Sequence, residues 1–143
     1  MSDTQREVAL AAVRQQRSQA AQRMISVTFQ KEGIHCFPAA ATDEKFRTED
    51  CYDVSFLSHP HRHIFHFRVW ISVWHNDREI EFIQFKRWCE NLYRDELLQL
   101  DNLSCEMIAD ELFEAIAQRY PSREVWIEVA EDGENGCLIK YFA

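Results

Sequence analysis

The stretch His61-Arg62-His63-Ile64-Phe65-His66-Phe67-Arg68-Val69-Trp70-Ile71-Ser72-Val73-Trp74-His75 decides the fold. His61, His63, Phe65, Phe67, Val69, Ile71, Val73 and His75 share one parity. Ile64, His66, Arg68, Trp70, Ser72 and Trp74 share the other. Successive side chains of a strand point to opposite faces, so this is one long strand with a clean apolar face. Upstream, Ile25, Val27 and Phe29 alternate with Ser26, Thr28 and Gln30, which predicts a second half-buried strand. Gly33 interrupts the alternation, so the segment to Phe37 reads as a bulged continuation, and Pro38 ends it.

Downstream, Asn76-Asp77 is a turn signal, and Glu79 to Phe82 offers a short strand. Phe82, Phe85, Cys89 and Leu92 then fall at helical spacing, which predicts a helix over 82–95. A second helix follows Leu103, with Ser104 as N-cap, Glu106 in the first turn and Ile108, Leu112, Ala115 and Ile116 on its buried face; Tyr120-Pro121 closes it. Val125, Ile127 and Val129 form a strand, Asp132 to Gly136 a turn, and Leu138 to Phe142 the returning strand of a hairpin. The order ββααββ predicts an α+β fold: a four-stranded antiparallel sheet with both helices on one face. The other face carries Trp70, Trp74 and Trp126, an aromatic load that a homo-oligomer would cover.

Two segments lie outside this pattern. Residues 1–24 are rich in Ala, Gln and Arg, with Val8, Ala12 and Val13 as sparse apolar anchors, and predict a helical extension to a domain over 25–143. Residues 39–60 read as a long loop, a length that usually serves function. The whole chain is 143 residues, 46% hydrophobic and 28% charged, which suits one folded domain. Its formal net charge of −8 argues against nucleic acid as the main partner, and no apolar run is long enough for a membrane span. The N-terminus lacks the form of a signal peptide. Five cysteines with wide spacings and no C-x-x-C pair predict reduced thiols and a cytoplasmic location rather than a disulfide framework.

The residues that carry chemistry cluster. His59, His61, His63 and His66 fall within eight residues. His61 and His63 point the same way on a strand, which suits two imidazole ligands on one zinc, and His35 and His59 are candidates for a third. Glu131 continues the apolar parity of Val125, Ile127 and Val129, where a carboxylate needs a partner; it could accept paired N–H donors of an amino-heterocycle such as a pterin or guanine. Cys105 follows the cap of the second helix, where the dipole would lower its pKa; burial as a small apolar residue is the competing reading. No nucleophile elbow, phosphate loop or dinucleotide fingerprint exists in a chain with three glycines.

This arrangement resembles the tunnelling-fold (T-fold) superfamily, nearest its 6-pyruvoyl- and 6-carboxy-tetrahydropterin synthases. His61-Arg62-His63-Ile64-Phe65 is similar to the H-G-H-aromatic strand start of those enzymes. Ile80-Glu81-Phe82 resembles their hydrophobic-Asp-Phe segment, and Ser104-Cys105-Glu106 their Thr-x-Glu helix opening. Val129-Ala130-Glu131 resembles the strand whose Glu anchors the pterin. The resemblance covers roughly residues 25–142. It implies ring-like homo-oligomers that bind purine- or pterin-like ligands at subunit interfaces, with Glu131, Glu106 and Phe65 at the ligand and His61 and His63 on zinc; His35, the candidate third ligand, has the right alternation but needs another placement than the family's. Two positions depart from the pattern. Phe37-Pro38-Ala39-Ala40-Ala41 ends in alanine where the family motif has its first zinc histidine, and Leu57 stands where the catalytic cysteine precedes the H-x-H. Three readings follow: a binding protein for a purine-, pterin- or nucleotide-like small molecule without synthase chemistry; a zinc-dependent synthase-like enzyme; and an interaction module, such as a phage-encoded inhibitor, that uses the acidic surface and the N-terminal helix.

Overall fold

A computed structural model describes residues 1–143. The long alternating stretch is strand β2 (His61–Ser72), and it pairs along its whole length with β1 (Met24–His35) in antiparallel register. That ladder runs without interruption from Met24 opposite Ser72 to His35 opposite His61. The expected bulge at Gly33 is therefore absent: Gly33 sits in line, opposite His63, where a Cβ would lie 2.7 Å from Leu100 Cδ1 and 3.0 Å from Phe65 Cε2. Close packing, not a break in pairing, explains that glycine. β2 stops at Ser72, so Trp74 and His75 fall in the following turn.

On its other side β2 pairs with β4 (Val125–Glu131), which forms the hairpin with β5 (Asn135–Tyr141). The fold is α+β, but the sheet is not the expected four antiparallel strands. It has five, in the order β3-β1-β2-β4-β5, because β3 (Leu97–Gln99) adds in parallel to the end of β1. Three residues are too few to show an alternation, so only tertiary pairing defines β3. The expected strand at Glu79 to Phe82 does not form. The Glu81 carboxylate instead accepts the N–H groups of Ile83 and Gln84 as the N-cap of α3 (Phe82–Asn91).

Register builds the core. Val27, Val69, Ile127 and Ile139 align across four strands, as do Phe29, Phe67, Val129 and Cys137. This face packs against Phe85 and Cys89 of α3 and against Ile108, Leu112 and Ile116 of α4 (Cys105–Arg119), whose start is capped by Ser104 Oγ accepting from Met107 N–H. Helix α3 lies against β1 and α4 against β4 and β5, so both cover the same face. On the opposite face Trp70 and Trp126 pair across the strands at 6.1 Å, with Lys140 over Trp126 at 4.1 Å. Trp74 leaves this face and stacks on Arg123 at 4.0 Å.

Helix α1 (Asp3–Ala20) is closed at its start by a capping box between Ser2 and Gln5 and buries no residue. The 39–60 segment is not wholly irregular: it holds α2 (Ala39–Thr42) and two single-turn 3₁₀ helices, Glu44–Phe46 and Ser55–Ser58. A hydrogen bond from Phe37 N–H to Leu57 O, 2.6 Å, closes it beside the histidine end of the sheet. No helix is long and apolar enough to cross a membrane.

Candidate metal centre

Three strand ends converge on one place. His35, the last residue of β1, faces His61, the first of β2; His63 follows on the same face two residues along; and Glu131 ends β4 opposite Phe65. One ring nitrogen from each of His35, His61 and His63 lies within 4.8 Å of the other two. Phe65, fully buried, meets the rings of His35 and His63 edge-on at 5.2 and 5.7 Å and forms an apolar floor.

The outer nitrogen of each imidazole is engaged. His35 Nδ1 is 2.8 Å from Leu103 O, and His61 Nδ1 is 2.8 Å from His59 O. A carbonyl oxygen only accepts, so each Nδ1 donates, and in the neutral ring that leaves Nε2 as the ligating atom. His63 Nδ1 is 2.7 Å from Asp132 Oδ2. The Asp132 carboxyl is held below its ordinary range, first by the Ile64 N–H and then by His63. Ligating histidines are held in this way, with the second nitrogen donating to a carbonyl or carboxylate that fixes tautomer and ring orientation.

His35 Nε2 and His63 Nε2 are buried and make no hydrogen bond. Each nevertheless faces the Glu131 carboxylate, at 3.2 and 3.4 Å. Three imidazoles and a carboxylate thus converge in a half-buried pocket, an arrangement whose donors could hold a cation. The donor set is three imidazoles with a carboxylate beside them. Three protein nitrogens with a remaining open position suit zinc.

A cavity of about 440 Å³ adjoins the centre, lined by His35, His61, Glu131, Glu106, Cys105 and Asn102 among others. Glu106 reaches it from the first turn of α4. Phe65 lies beneath the histidines, with no exposed surface to offer a ligand. The Cys105 thiol is pushed up to about 12 by burial, with the nearby Glu131 adding to the shift. Burial therefore outweighs the helix dipole there, and Cys105 stays a thiol near neutral pH. A larger cavity, about 620 Å³, is lined by Thr28, Arg68, Lys86 and Glu128 among others and holds none of the three converging histidines.

No family model and no curated protein matches the chain. Of the histidines singled out in the sequence, His35, His61 and His63 come together, while His59 contributes its carbonyl and His66 turns to the other sheet face. Sequence reasoning missed Asp132, which it assigned to the turn, and the Leu103 carbonyl, which no side-chain pattern could reveal. The signal for Asp132 in the sequence was its place next to a strand-terminal glutamate; in the fold its backbone is left-handed (φ 55°) and its carboxylate meets His63 Nδ1 and the Ile64 N–H near the start of β2.

Proposed function

We propose that this chain is a T-fold-like, zinc-dependent small-molecule protein in which Nε2 of His35, His61 and His63 hold the metal and Glu131 receives a purine- or pterin-like heterocycle. One observation carries the reading: two buried Nε2 atoms without a hydrogen-bond partner, both beside one carboxylate, each with its opposite ring nitrogen already committed. His35 takes the place of the ligand that Ala41 cannot supply, since it ends β1 directly opposite His61. Zinc held by three histidines supplies Lewis-acid polarisation of a substrate oxygen. Glu131 would accept paired N–H donors of the heterocycle, and Glu106 and Asn102 offer further polar contacts in the same cavity.

With Glu131 given to the heterocycle, three histidines would leave one zinc position open, which favours the enzymatic reading over a structural zinc site closed by four protein ligands. A thiolate mechanism is not supported by Cys105, whose pKa is raised. The homo-oligomer belongs to the same proposal, supported by the Trp70–Trp126 face that the helices leave uncovered. The test is calorimetric titration of a panel of pterins and purines into zinc-loaded protein and into Glu131→Ala. Binding by the first and not the second is expected; equal binding, or none by the wild type, would overturn the ligand assignment.

A further inference from the structure

Helix α1 is held firmly yet packs on nothing. Arg23 Nη1 donates to Ser18 O at 2.6 Å and to Ala21 O at 2.8 Å, while Arg23 Nε reaches Asn76 and Gln22 reaches Glu124. These contacts tie the helix end to the sheet, but the 18 residues bury none of their side chains. An isolated helix of that length is marginal in water, and within the chain α1 has no packing partner.

Its surface describes that partner. Leu10, Val13, Arg14 and Arg17 stand at i, i+3, i+4 and i+7, which puts them on one face. Leu10 and Val13 are 53% and 45% exposed, and neither arginine has an ion-pair partner within the chain. The solvent face of α4 repeats the spacing with opposite charge: Met107, Asp110, Glu111 and Glu114 also stand at i, i+3, i+4 and i+7. Met107 is 52% exposed, and Glu111 and Glu114 are unpaired. Charge divides in the same sense along the chain. Residues 1–24 hold Arg6, Arg14, Arg17 and Arg23 against Asp3 and Glu7, while 25–143 hold 12 basic and 22 acidic residues.

We infer that α1 of one copy packs in parallel on α4 of a second copy, Leu10 on Met107, with Arg14 and Arg17 alongside Glu111 and Glu114. Within one chain α1 does not pack on α4. The test is sedimentation equilibrium on the full chain, its Arg14→Glu/Arg17→Glu variant, and a variant that adds Glu111→Arg/Glu114→Arg. The first reversal is expected to weaken self-association by about tenfold or more, and the compensating reversal to restore it. Circular dichroism of each variant confirms the fold. A monomeric wild type, unchanged association in the first variant, or no recovery in the second would each overturn the inference.

Discussion

His35 and His61 face each other as a direct cross-strand pair at one end of the β1–β2 ladder, with ring centroids 4.6 Å apart. Adding His63 two residues along makes a tripod without help from any loop side chain, because strand pairing alone fixes the positions of all three Cβ atoms. Sites built on regular elements hold their geometry better than sites built on loops.

The outer hydrogen bonds should tune the metal rather than hold it. Asp132→Asn keeps a partner for His63 but removes the charge. Zinc affinity should fall by about 10–100-fold, with the melting curve of the metal-free protein little changed. Competition against a chromogenic chelator measures it, and unchanged affinity would remove Asp132 from the centre.

Loss of a ligand should be more severe. His63→Ala deletes one of the three nitrogens and leaves the Gly33–His63 position with no side chain larger than a methyl on either strand. Stoichiometric zinc should be lost at micromolar metal, a result that elemental analysis after dialysis reads directly.

The ion pair of Arg123 and Glu79 fastens the turn after β2 to the start of β4. Their side chains are 7% and 13% exposed, Arg123 also donates to Ser72 O, and Glu79 accepts from Trp74 N–H. Arg123 holds the Glu79 carboxyl below its ordinary value. A folded pKa below the unfolded one means stability that is present above pH 4.5 and lost as pH falls through the lowered value. Wild type should therefore lose stability between about pH 5 and 3 more steeply than Glu79→Gln, which itself costs about 1–3 kcal/mol at neutral pH. Denaturant midpoints across that range give the comparison, and parallel curves would contradict it.

Gly136 is required by packing within the final hairpin. A Cβ there would lie 2.6 Å from Ala130 Cα and closer still to the Val129 carbonyl, both backbone atoms that cannot rotate away. Gly136→Ala should destabilise the chain by about 1–3 kcal/mol, a drop of several degrees in Tm. The β4–β5 end that carries Glu131 should open first, as amide exchange would show.

Most of the fold was legible because its strands are half-buried and alternate cleanly, as in β2, or carry a strong local signal, as Ser104 does for α4. What escaped was set by tertiary contact. β3 is too short to have a period. Glu81 looked like part of a strand until its carboxylate capped α3. Gly33 signalled a bulge, whereas the packed side chains of Phe65 and Leu100 account for it. In the site, parity placed His61, His63 and Glu131 on the core side of the sheet. The cross-strand register that brings His35 to them could not be read from either strand alone, and neither could the carbonyls that set the imidazole tautomers.

Under the proposed reading, His35, His61 and His63 together hold one zinc. Native mass spectrometry of the full chain, purified without chelator and again after zinc reconstitution, tests it most directly, with His61→Ala alongside. One zinc per wild-type chain and none in the variant is the predicted result. A reconstituted wild type without zinc, or a His61→Ala protein that still carries one per chain, would contradict it.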